Sequence, residues 1–94
     1  MTEVVVRIPT PLRCLTAGAS DVRVQGRTVR EALVALEDAH SGATSRVLDQ
    51  RGELHAFVNV FVGEKNVNAL RGLETALADG AVLSIVPAVA GGAR

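Results

Sequence analysis

An α+β fold, one sheet with a single main helix laid across one face, is predicted by three features of the sequence. Residues 3–8 read Glu-Val-Val-Val-Arg-Ile, with Val4, Val6 and Ile8 falling on one side of an extended chain and Val5 and Arg7 on the other. Thr28 and Glu31 form an S/T-x-x-E capping box at the head of a Val29, Ala32, Leu33, Leu36 stripe, the i, i+3, i+4, i+7 spacing of a half-buried helix. Residues 55–62 alternate again, placing Ala56, Val58, Val60 and Val62 on one face and Phe57, Asn59 and Phe61 on the other.

The remaining elements follow in order. Pro9 and Pro11 end the first strand because neither can donate to a ladder. A connection through Gly18 then leads to a second strand over residues 21–25, where Val22 and Val24 alternate with Arg23, so a hairpin is the economical reading. Gly26 closes that strand. In the capping box each side chain can satisfy a backbone N–H of the other residue, and the helix is expected to stop near His40, with Gly42 available for a left-handed turn. Residues 41–53 are polar and without period, which predicts a surface connection holding a short turn around Val47 and Leu48. Gly63 ends the third long strand, residues 67–77 hold short strand or helical turns, and Asp79-Gly80 is a turn before a last strand over residues 81–87. The expected core is Val4, Val6, Ile8, Val22, Val24, Leu33, Leu36, Val58, Val60, Leu83 and Ile85. This order is that of the β-grasp arrangement, a mixed sheet of four to five strands with one main helix packed on one face. Residues 1–87 make the domain, and residues 88–94 a flexible C-terminal tail.

Composition narrows the function. With 94 residues, 48% hydrophobic and 21% charged, the chain has the apolar content of one packed domain. Ten basic residues against ten acidic ones leave no basic stripe for a phosphate backbone, which argues against nucleic acid as a partner. One cysteine, Cys14, excludes an intramolecular disulfide and fits a reducing compartment. No apolar run approaches the roughly 20 residues of a membrane span, and the start lacks the regions of a signal peptide. A cytoplasmic protein without a membrane partner is expected. Cys14 lies near Arg13 but has no histidine close in sequence to serve as base, so it reads as a bystander thiol. Cys14, His40 and His55 lack zinc-ligand spacing, and no metal is expected. Residues 63–72 contain Lys65 but not the phosphate-loop pattern.

The end of the chain carries the most specific pattern. Residues 78–92, Ala-Asp-Gly-Ala-Val-Leu-Ser-Ile-Val-Pro-Ala-Val-Ala-Gly-Gly, resemble the D-G-x-x-[VL]-x-[IF]-x-P-x-V-x-G-G ending of ubiquitin-like sulfur carrier proteins, the MoaD/ThiS group. Phe57-Val58-Asn59-Val60 is similar to that family's central strand, and the first strand, hairpin and helix align as well, so the resemblance covers nearly the whole chain. Within the group, Arg7-Ile8-Pro9-Thr10 with Leu12-Arg13, Ser41-Gly42 after the helix, and the Pro87 to Gly92 tail are most similar to CysO-type carriers of cysteine biosynthesis. The departure is Ala93-Arg94, since carriers of the group usually end at the second glycine. That dipeptide is either a natural precursor end or a cloning remnant, and a natural extension is the preferred reading.

The resemblance implies a non-enzymatic carrier with no bound cofactor. Its Gly92 carboxylate is adenylated with ATP by a MoeB/ThiF-like adenylating and sulfurating enzyme and becomes a thiocarboxylate. By the same resemblance the sulfur passes to an activated serine held by a pyridoxal-phosphate-dependent synthase, and a zinc metalloprotease trims the C-terminus or releases product. Residue chemistry fits. Pro87 to Gly92 spans roughly 20 Å when extended. Gly91 and Gly92 lack a Cβ and can enter a narrow channel behind Val89 and Ala90, and Pro87 stiffens the strand exit. The processing residues are Gly92, Ala93 and Arg94. Phe57, Asn59, Phe61 and Val86 form the expected docking set on the outer sheet face, with rings folded over the sheet edge as the competing arrangement. The alternative function is the small subunit of molybdopterin synthase, and a third is a ubiquitin-like modifier joined to lysines through Gly92.

Overall fold

A computed structural model describes residues 2–45, 47–55 and 58–87. Five strands, β1 (Glu3–Arg7), β2 (Asp21–Gln25), β3 (Val58–Val62), β4 (Lys65–Asn66) and β5 (Ala81–Pro87), form one mixed sheet in the order β2-β1-β5-β3-β4. One α-helix, α1 (Val29–Ala39), crosses a single face of it. The expected β-grasp arrangement is the observed one. β1 pairs antiparallel with β2, Val4 opposite Val24 and Val6 opposite Val22, which is the expected hairpin. The return strand β5 runs parallel to β1 and antiparallel to β3, so it occupies the centre of the sheet.

Packing follows the alternation. Val4, Val6, Val60 and Leu83 on the inner face, and Val29, Ala32, Leu33 and Leu36 on the helix, are fully buried, and every residue of the expected core lies inside. Gly26 shows why the chain can pass so tightly from β2 to α1. A Cβ there would lie 2.5 Å from the Ala32 backbone nitrogen and 2.9 Å from the Ala32 Cα. Gly26→Ala must therefore push the helix off the sheet, and we expect it to lower unfolding free energy by about 1–3 kcal/mol, the usual cost of overpacking, readable by denaturant titration.

Four expectations are corrected. The Pro-bounded connection is not irregular: Thr10–Thr16 is a 3₁₀ helix with Pro11 in its first turn, and it buries Leu12 and Thr16. The capping box is displaced by one residue on one side. Thr28 Oγ1 accepts from the Glu31 N–H as expected, but Glu31 Oε1 accepts from the Arg27 N–H at 2.9 Å, not from Thr28. The third strand begins at Val58 rather than His55. His55 donates its N–H to the Val47 carbonyl, and its own carbonyl accepts from the Val58 N–H, so neither group is spent on the β3 ladder; Ala56 and Phe57 lie outside the described residues. Finally, residues 41–53 are not merely a surface connection, because Ala43 and Val47 are buried in the core.

That connection is fastened by one carboxylate. Glu37 Oε2 accepts from the Gly42 N–H at 2.6 Å, while Oε1 accepts from the Thr44 N–H at 3.1 Å and the Thr44 hydroxyl at 2.7 Å. The Gly42 amide, then the Thr44 hydroxyl and amide, hold the Glu37 carboxyl below the usual carboxylate range. A depressed folded-state value means that this clamp contributes its full stability above the ordinary glutamate range and loses it as pH falls through the folded value. Glu37→Gln is thus expected to lower the melting midpoint at neutral pH. The gap to the parent should narrow in acid, measured by thermal melts across the pH 3–7 range.

Candidate functional site

The sheet order sets where the chain leaves the domain. Asp79 Oδ1 accepts from the Glu3 N–H at 2.8 Å, and the Gly80 N–H donates to the Glu3 carbonyl at 2.8 Å, with Gly80 at a φ of +86° that suits glycine. This turn fixes β5 against β1 with Val4 opposite Ala81 and Arg7 opposite Ser84. On its other side β5 ends with Pro87 opposite Val58. A strand held by ladders on both sides therefore delivers the chain to residue 88 from the middle of the sheet. Val89, Ala90, Gly91, Gly92, Ala93 and Arg94 lie outside the described residues, as does Phe57.

The other expected docking residues share one face. Asn59 stands opposite Val86, and Phe61 opposite Ser84, on the side of the sheet away from the helix. Val86 is 43% exposed, one of three large hydrophobic residues open to solvent among the described residues. Phe61 and Asn59 are half-buried, so Phe61 lies against the sheet rather than standing clear of it. Asn66, opposite Phe61 on β4, donates its side-chain N–H to Asn59 Oδ1 at 3.2 Å and braces that edge.

Register adds residues that alternation alone did not assign to this site. Val82 stands beside Val5, which stands beside Arg23, and Ser84 lies between Arg7 and Phe61. The outer face thus carries an apolar band of Val5, Val82, Phe61 and Val86, with Arg7 and Arg23 on the β1–β2 side and Asn59 and Asn66 on the β3–β4 side. The Val5 and Arg7 side was legible from the first strand; its junction with Phe61 depends on the parallel β1–β5 pairing.

Elsewhere the chemistry is structural. One open hollow is lined by Ser45, Leu48, Asp49, Gln50, Arg51 and His55. Its acid shapes the turn: Asp49 Oδ1 accepts from the Arg51 and Glu53 N–H groups at 2.8 and 3.0 Å, and the Glu53 amide above all holds its carboxyl below the ordinary range. Cys14 is an exposed free thiol on the 3₁₀ helix. No group of three or more His, Cys, Asp or Glu side chains among the described residues is placed to hold a metal ion. No helix among them is long and apolar enough to cross a membrane.

Comparison with known proteins agrees with this geometry. The ThiS family model matches residues 6–92, from β1 through the second glycine of the tail. The sulfur carrier protein CysO of Mycobacterium tuberculosis is 44% identical over 92 residues, spanning 96% of this chain and 99% of that protein. A chain in the crystal structure of the Amycolatopsis orientalis BexX/CysO complex superposes with a TM-score of 0.88 at 42% identity, covering 94% of this chain and 98% of that one. The H. volcanii small archaeal modifier protein 1 superposes with a TM-score of 0.79 at 31% identity, covering 93% and 98%. Sequence and fold agree over nearly the full length, and the chain belongs to the ThiS family.

Proposed function

We propose that this protein is a sulfur carrier that works as the substrate of partner enzymes, with Gly92 as the residue that bears the sulfur. The observation that carries this reading is 44% identity over nearly the full length to a protein named a sulfur carrier, combined with a family match that runs to Gly92. Ala93 follows Gly92, so the Gly92 carbonyl is part of an amide. Hydrolysis of the Gly92–Ala93 bond, assigned here to a zinc metalloprotease, frees the carboxylate. One carboxylate oxygen then attacks the α-phosphorus of ATP in a MoeB/ThiF-like enzyme, and pyrophosphate leaves. Hydrogen sulfide (HS⁻) attacks the acyl carbon of the adenylate, AMP leaves with the electron pair of the broken C–O bond, and loss of the sulfur-bound proton to solvent leaves the thiocarboxylate. The acceptor is an activated serine on a pyridoxal-phosphate-dependent synthase, and the pathway is cysteine or other sulfur-metabolite biosynthesis.

Within this scheme the domain supplies a rigid base and a handle. β5 holds Pro87 in the sheet centre, Val89 and Ala90 bridge to the channel, and Gly91 and Gly92 thread it because neither brings a Cβ. The outer face around Asn59, Phe61 and Val86, together with Phe57, docks on the adenylating enzyme through its apolar band. ATP–pyrophosphate exchange by a ThiF-like enzyme tests both parts. A chain ending at Gly92 should support exchange, and Phe61→Glu should weaken its binding about tenfold or more, some 1.4 kcal/mol, with little change in melting midpoint. Equal binding by a folded Phe61→Glu chain would remove the docking face from the scheme, and no exchange with the chain ending at Gly92 would remove the carrier reading.

A further inference from the structure

The two edges of the sheet are not alike. β4 ends it with two residues, whereas β2 ends it with five that pair in unbroken register with β1 and include no proline. The hairpin bonds fix which backbone groups of β2 are left over. The Ile8 N–H donates to the Ser20 carbonyl at 2.8 Å and the Gly26 N–H to the Thr2 carbonyl at 3.0 Å. The even-numbered residues of β2 therefore turn their N–H and C=O groups toward β1, and the odd-numbered ones turn them away. Asp21, Arg23 and Gln25 thus line the open edge with backbone donors and acceptors that have no partner among the described residues. Such a row is a template for a further strand. Its side chains decide which strand fits. Asp21, Arg23 and Gln25 are exposed on the outer face, Val22 and Val24 are buried on the inner one, and neither Asp21 nor Arg23 enters an ion pair among the described residues.

We propose that β2 pairs antiparallel with β2 of a second copy, the twofold axis passing beside Val22. Charge complementarity selects this occupant and this register. Asp21 of each copy then stands opposite Arg23 of the other, and both pairs exchange N–H···O=C bonds in the two directions. Centring on Asp21 or on Arg23 instead would set like charges face to face, and centring on Val24 would set Arg23 against Gln25 with no charge pair inside the strand. Gln25 is left without a partner, because the residue it meets is already committed: the Ala19 N–H donates to the Thr16 carbonyl, and the Ala19 carbonyl accepts from the Thr16 hydroxyl. The two Val22 side chains meet on the helix side. With the axis perpendicular to the sheet, both helices lie on one side of the joined sheet and both outer faces on the other. Since β5 runs parallel to β1 and β1 antiparallel to β2, the two β5 strands run in opposite directions, and the two Pro87 residues stand at opposite ends. β3 and β5, which carry Asn59, Phe61 and Val86, stay clear of the junction. The pairing does not depend on the carrier reading.

The test follows the 94-residue chain from micromolar to millimolar concentration by sedimentation equilibrium and by residue-resolved amide exchange. A monomer–dimer equilibrium is expected, with the Asp21 and Arg23 amides gaining protection as the dimer forms and the Gln25 amide gaining none. Asp21→Arg and Arg23→Asp should each weaken self-association about tenfold or more, with melting midpoints at low concentration unchanged. An equimolar mixture of the two variants should restore association, because each then presents the charges that the other lacks. A parent chain that stays monomeric throughout, a dimer that protects Gln25 or leaves Asp21 and Arg23 unprotected, a variant that associates as the parent does, or a mixture no stronger than its components would each overturn the proposal. Should a variant fail to fold, the exchange pattern of the parent decides the matter alone.

Discussion

A chain ending at Gly92 is expected to form an acyl adenylate, and the 94-residue chain to remain at background in the same assay. The contrast follows from bonding before any question of fit. Adenylation needs a carboxylate oxygen as nucleophile, and with Ala93 attached Gly92 offers only an amide carbonyl. The carboxylate of the longer chain belongs to Arg94, whose long cationic side chain would have to enter a channel shaped for residues without a Cβ. Both chains share residues 2–87, so their melting midpoints should coincide and the difference will report the terminus alone. Equal exchange by the two chains would show that trimming is not required.

Leu36→Ala is expected to have the largest effect on stability, a loss of about 2–5 kcal/mol. Leu36 is fully buried on the inner stripe of α1 beside Leu33 and Ala32, where truncation leaves a cavity under the helix. The matched control is Val34, which is 52% exposed two residues earlier on the same helix. Its truncation should change stability by no more than about 0.5 kcal/mol, as for surface positions. Denaturant unfolding of the two variants reads both values, and a Leu36 loss as small as the Val34 control would contradict the helix packing.

What the sequence revealed depended on whether one element or several carried the signal. The α1 stripe and the alternation of β1, β2 and β5 are local patterns, and their buried residues are those expected. His55 is different: its amide is spent on the Val47 carbonyl, a partner eight residues away that alternation does not reveal. Val47 itself sits in a polar stretch without period, and it becomes core because Glu37 draws Gly42 and Thr44 onto the helix end. For the site, the glycine pair and the outer position of Asn59, Phe61 and Val86 could be read directly. The continuity of that face through Val82, Val5 and Arg7 could not, because it is created by the parallel β1–β5 ladder between segments more than seventy residues apart.

The central claim is that Gly92 carries sulfur, and intact mass of the protein isolated from its native cell, followed by fragmentation of its C-terminal peptide, tests it most directly. We expect a population that ends at Gly92 and is heavier than the corresponding acid by the difference between sulfur and oxygen, with the added mass confined to Gly92. A protein recovered under sulfur-replete conditions only with Ala93 and Arg94 attached, or ending at Gly92 as the free acid alone, would contradict the account.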